Sequence, residues 1–144
     1  MKYIIFITLA STIVLAMIVG SVIAVQLDNF KLLSQAFLQF AFVYILPILV
    51  STVVLKIIRN FVKPDPRSLS NLPVILACFV VIHVSLFGMA IADMMLFGEV
   101  TFARTYQHYK QEYFGLWPYS FFGAVLMVFF EAILWRRIKR QAAN

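Results

Sequence analysis

Few residues in this chain could do chemistry, and they stand far apart. Glu131 comes first. It precedes Trp135 by four residues, which sets it about one helical turn (~5–6 Å) inside the basic end of an apolar block. Gly123, Met127, Glu131 and Trp135 would share one helix face. Charge within hydrocarbon is costly, so an ionisable residue there is a functional candidate whose partner should be named. For Glu131 the expected partner is Lys56 or Arg59. The pair would be a structural link, or the carboxylate would be a protonatable group on a transport path.

His83 falls near the middle of the third apolar block. An imidazole there could shuttle protons, ligate a metal or bind haem. A neutral ring bonded to a backbone carbonyl or a serine is the simpler reading. Haem between two helices would want a second axial ligand, and the other histidine, His108, is expected on the opposite surface. Cys78 and His83 alone are too few ligands for a metal, so neither metal nor cofactor is expected. Asp93 lies about 20 residues beyond Pro73, or ~30 Å along a helix, at the far boundary, with Lys31 or Arg104 as its expected partner. Cys78 is the single cysteine, which excludes an internal disulfide, and it reads as a small packed hydrophobe. Hydrolytic chemistry needs a nucleophile with its base, or paired acids. Here the acids are scattered and the five glycines are isolated, so no phosphate-cradling loop exists and no enzyme is expected.

The elements that position these residues are legible from composition. Of 144 residues 63% are hydrophobic and 12% charged, and mean hydropathy is +0.95. Soluble domains are about half apolar. A membrane span needs roughly 20 apolar residues. Four such blocks fill the length: residues 3–25, 36–58, 73–97 and 117–135. The fold class expected is an all-α integral membrane protein, a single domain built as a bundle of four transmembrane helices. Pro47 should kink the second span. Pro64-Asp65-Pro66 marks a turn, and Ser68, Ser70 and Asn71 are helix-start residues ahead of Pro73. The first block could instead be a signal peptide, with Lys2 as its charged region and Val22 and Ala24 as a cleavage pattern. Its apolar run exceeds the usual ~7–15 residues, which favours retention.

Between the third and fourth spans, residues 99–114 change character. Phe102, Tyr106, Tyr109 and Tyr113 recur at helical spacing, with Arg104, Gln107, Lys110 and Gln111 between them. This predicts a short interfacial helix with an outer aromatic face. In the first span, Thr8, Thr12, Ala16, Gly20 and Ala24 form a small-residue stripe suited to close helix packing, within the bundle or against a partner.

Charge sets the expected orientation. Lys2, Lys56, Arg59, Lys63, Arg67, Arg136, Arg137, Lys139 and Arg140 flank one side; Lys31, Arg104 and Lys110 flank the other, a split of nine to three. Basic residues concentrate in the cytoplasm, so both termini are expected there, with a bacterial inner (plasma) membrane as the setting. The net charge of +6 follows from these juxtamembrane anchors and does not call for nucleic acid.

In size and span count the chain is similar to the small multidrug resistance transporters, dimers of four-span subunits. That family carries an essential membrane-embedded glutamate in its first span. This chain has no acid there and holds Glu131 in the fourth, so the activity is not carried over. The layout also resembles the immunity proteins against pore-forming colicins, small basic multi-span proteins that bind a toxin in the bilayer. The expected function is therefore non-enzymatic: binding of another membrane protein or a second copy, in an immunity-type or accessory-subunit role, with membrane lipid around it. The alternative is a homo-oligomeric transporter or channel that uses Glu131.

Overall fold

A computed structural model of the chain describes residues 2–26, 32–61, 71–96, 101–112 and 114–141. All regular structure among them is helical: α1 (Lys2–Gln26), α2 (Leu32–Phe61), α3 (Asn71–Leu96), α4 (Phe102–Glu112), a 3-10 turn (Phe114–Leu116) and α5 (Trp117–Gln141). Four of these helices are long and apolar enough to cross a membrane. With 25, 30, 26 and 25 residues, they are about 37–45 Å long, against ~30 Å of hydrocarbon. These lengths suggest an integral membrane protein.

The helices outrun the expected blocks at several ends. α2 starts at Leu32 and ends at Phe61, and α5 continues past Trp135 through Arg136 and Arg137. Apolar runs mark the part of a helix that prefers hydrocarbon, whereas the backbone ladder continues wherever no residue breaks it. α2 also runs on through Pro47, which is buried. The predicted turn at Pro64 to Pro66 lies outside the described residues.

The four long helices form a ring in the order α1, α2, α3, α5, with α2 and α5 also meeting across the centre. Gly123 marks that centre. A Cβ there would touch Leu15 of α1, Ile48 of α2 and Ile82 of α3, the nearest at 3.3 Å. The buried core runs through Ile7, Leu15 and Val19, Ile48 and Leu55, Cys78, Ile82 and Leu86, and Met127. The outer faces keep large apolar side chains exposed, among them Phe42, Val84 and Phe129. A bundle that is apolar on the outside as well as the inside is what lipid solvent requires.

The small-residue stripe is an internal seam. Thr8, Thr12, Ala16, Gly20 and Ala24 are all buried. At Gly20 the backbones of α1 and α2 come so close that an added Cβ would sit 3.3 Å from the Phe37 nitrogen and 3.4 Å from the Leu33 oxygen. Lower on the seam the Thr8 hydroxyl donates to Thr52 Oγ1 at 3.3 Å, and Thr52 donates to the Ile48 carbonyl at 2.8 Å. Ser51, the residue before Thr52, donates to the Cys78 carbonyl of α3 at 3.1 Å.

α4 begins with a cap: the Arg104 N–H donates to Thr101 Oγ1 at 3.4 Å. It runs back along the end of α3, where His108 Nε2 lies 3.6 Å from Asp93 Oδ2 and the Tyr109 ring meets Phe87 edge to face at 5.2 Å. The turn at Phe114–Leu116 then leads directly into α5, with Pro118 in its first turn. Proline suits that position, since its missing N–H would have no helical partner there.

Candidate functional site

The densest polar cluster lies at the basic end of the bundle, and every long helix supplies one member. Glu131 of α5 is 1% exposed. Arg59 of α2 reaches it across the centre of the ring, with Nη2 at 2.7 Å and Nε at 2.9 Å from Oε2, and Nε at 3.1 Å from Oε1. The Tyr3 hydroxyl of α1 donates to Oε1 at 2.6 Å. Arg59 Nη2 also donates to Asn71 Oδ1 of α3 at 3.0 Å. Both carboxylate oxygens are thus engaged by charge-assisted bonds, which are the strong class. Arg59 Nη1 is the buried nitrogen of this cluster without a partner among the described residues.

Of the two cations expected near Glu131, Arg59 makes the pair, and Lys56 is exposed to the surroundings. The two positions are three residues apart, about 60° around the helix, enough to fall on either side of the line of contact. Neither Tyr3 nor Asn71 was picked out as a partner by sequence reasoning. A signal for them exists: each opens its helix at the same end as Glu131, and a buried carboxylate needs more donors than one arginine supplies.

A second latch closes the bundle about 20 Å away along the axis. The Tyr44 hydroxyl of α2 is buried, donates to the Leu116 carbonyl at 3.0 Å and lies 3.2 Å from Ser120 Oγ. Ser120 donates to the same carbonyl at 3.2 Å. Leu116 ends the 3-10 turn just before α5, so the Tyr44 bond ties α2 to the start of α5. Tyr44 and Ser120 were likewise missed, because a lone Tyr in an apolar span reads as core.

His83 does not reach the Glu131 cluster. Its ring packs between Phe79, at 5.0 Å, and Tyr109 of α4, at 6.3 Å. Neither ring nitrogen has a hydrogen-bond partner among the described residues, so the expected backbone or serine bond is not made. Asp93 is half-exposed and faces His108; of its two expected partners, Lys31 lies outside the described residues. No group of three metal-ligating side chains occurs among the described residues.

α4 divides the aromatic stripe. Tyr109 turns inward onto α3, whereas Tyr106 is 53% exposed. Their spacing of three residues puts them about 60° apart on the helix, enough to fall on either side of the contact line. Ala103, Tyr106, Gln107, Lys110 and Gln111 border an outer recess of about 710 Å³. The Tyr113 residue and the Phe102 side chain lie outside what is described. Burial, and then the neighbouring Tyr106, hold the Tyr109 hydroxyl above the ordinary tyrosine range.

No protein-family model, curated protein or solved structure matches this chain.

Proposed function

We propose that this chain is a non-enzymatic membrane protein that binds a partner, an accessory-subunit or immunity-type role, through the outward face of α4. The observation that carries this reading is that Glu131 is consumed inside the bundle. Its two oxygens are taken by Arg59 and Tyr3, and its side chain is closed off from solvent. A carboxylate that carries cargo must exchange partners. This one could do so only by parting the three helices it joins.

α4 presents a mixed aromatic and polar surface to its surroundings. Tyr106, Gln107 and Lys110 combine an aromatic anchor, an amide and a cation on one exposed surface. Aromatic residues are frequent hot spots of interfaces. The charge split of nine to three supports both termini in the cytoplasm and α4 on the opposite side of a bacterial inner membrane.

Native mass spectrometry of the complex, released gently from its own membrane, tests the proposal. A second polypeptide in fixed ratio, lost on Tyr106→Ser with Gln107→Ala, is the expected result. A homo-oligomer that survives those changes and conducts a proton-coupled flux abolished by Glu131→Gln would overturn it in favour of transport. For orientation, cysteine placed at Gln107 in a Cys78→Ser background should react with an impermeant reagent added outside intact cells. Cysteine placed at Arg136 should react only after lysis, and the reverse pattern refutes the assignment.

A further inference from the structure

At the basic end, α1 and α5 leave a cleft of about 370 Å³ between them, open to the surroundings of the bundle. Its walls are apolar, from Phe6 on one helix and Ile133, Leu134 and Ile138 on the other; its rim carries Lys2 from α1 and Arg137 from α5. The Phe6 ring is fixed edge-on against Phe130 at 6.3 Å. Neither Lys2 nor Arg137 has an ion-pair partner among the described residues. The nearby acid, Glu131, is neutralised by Arg59 on the inner side. From this arrangement we propose that the α1–α5 cleft is a binding site for an anionic phospholipid of the leaflet at the basic end.

The chemistry matches part for part. A phospholipid presents a phosphodiester anion at the level of helix ends and methylenes directly below it. The cleft presents two cations without an ion-pair partner among the described residues, at the end of the helices, and an apolar trough beside them. The first turn of α1 adds the positive end of its backbone dipole. Basic pockets between transmembrane helices are a known way of holding anionic headgroups. Tyr3 contributes from behind: its hydroxyl is tied to Glu131, which fixes the first turn of α1 and holds Lys2 across from Arg137. A zwitterionic lipid would bring an ammonium group toward the same two cations, so the site should select for net negative headgroups. The inference rests on the chain lying in a bilayer and is independent of what α4 binds.

The test is a lipid titration of the purified, delipidated protein in neutral detergent, read by native mass spectrometry. Phosphatidylglycerol should fill one saturable site, and phosphatidylcholine with the same chains should not. A cation beside an anionic lipid surface contributes roughly fivefold in affinity, so Lys2→Gln with Arg137→Gln should weaken phosphatidylglycerol about thirtyfold. Lys56→Gln with Arg136→Gln removes the same charge at the same end outside the cleft and should change nothing. Leu134→Trp fills the trough with the rim intact and should also weaken the lipid, which answers the question if the double charge variant inserts poorly. Equal binding of the two lipids, or equal losses from the two charge pairs, would mean annular lipid or diffuse attraction and overturn the proposal. So would inorganic phosphate displacing the lipid as readily from the wild type as from Leu134→Trp.

Discussion

Glu131→Gln is the perturbation with the clearest expected size. The change keeps shape and removes one charge, which leaves Arg59, 8% exposed, without its counter-ion inside the bundle. Breaking a buried pair from one side costs about 3–5 kcal/mol, because the remaining charge is uncompensated. Arg59→Met should cost a similar amount by stranding the carboxylate, and Tyr3→Phe about 1.5 kcal/mol as one charge-assisted bond among several is lost. The informative variant is Tyr3→Phe, Arg59→Met and Glu131→Met together. It removes donors and acceptor at once, and replacing a whole buried pair by apolar groups is often neutral. The triple variant should therefore lie within about 2 kcal/mol of the wild type, although the single costs sum to several times that. Unfolding by sodium dodecyl sulfate in mixed micelles, followed by Trp117 and Trp135 fluorescence, measures all four. Additive losses would refute the reasoning. So would a loss below about 1 kcal/mol for Glu131→Gln, since the carboxylate would then be no more than a surface charge.

The α1–α2 seam makes a paired prediction. Gly20→Leu should destabilise by about 1–3 kcal/mol, because backbone atoms 3.3–3.4 Å from the new Cβ cannot move aside, whereas Gly88→Leu, with nothing within 4 Å, should not destabilise; equal effects would show that the seam is not tight. Tyr109→Ala should speed amide exchange throughout α4 and leave the long helices protected. The docked state favours the neutral Tyr109 hydroxyl, so docking of α4 is fully present below the ordinary tyrosine pKa of about 10 and is lost as pH rises through the raised folded value. Tyrosinate absorbance and α4 exchange should therefore change together on the alkaline side, and an α4 that loosens before any tyrosine ionises would count against Tyr109 as its anchor.

The four long helices were legible because hydrocarbon imposes a single crude requirement, about 20 apolar residues in a row, and each block satisfies it. Glu131 was legible for the same reason in reverse: an acid one turn inside such a block stands out. The pairing with Arg59 was narrowed to two residues by level along the helices, and the choice between Lys56 and Arg59 needed the rotation of α2, which hydropathy does not encode. Tyr3, Asn71, Tyr44 and Ser120 were not legible. Each is unremarkable at its own position; what makes Tyr3, Tyr44 and Ser120 matter is a partner 72–128 residues away, and Asn71 meets Arg59 on another helix. The aromatic stripe of α4 misled for a related reason. Spacing of four and three gathers Tyr106 and Tyr109 on one broad face, but the line of contact with α3 runs between them.

The arrangement of the Glu131 cluster bears on the choice between binding and transport beyond the identity of its residues. In the ring of helices, α2 and α5 stand across the centre from each other, and so do α1 and α3. Arg59 and Glu131 bridge the first diagonal, while Tyr3 and Asn71 reach in from the other two corners. A helix that tilts to open a path at this end must draw at least one donor or acceptor out of the cluster; withdrawal of Tyr3 or Asn71 breaks a buried hydrogen bond, and withdrawal of Arg59 or Glu131 also leaves charge unpaired in a low-dielectric interior. Rocking motions of the kind that move cargo would therefore be opposed at the level of Glu131, the one carboxylate buried among the described residues. The opposite end repeats the constraint with the Tyr44 hydroxyl on the Leu116 carbonyl, which also fixes where α4 joins α5. A bundle latched at both ends and packed through Gly123 at its centre is built to hold a shape. Under the proposed reading a held shape would serve recognition: α4 at one end and the α1–α5 cleft at the other would stay in constant positions, so that binding at either would not first have to order the protein.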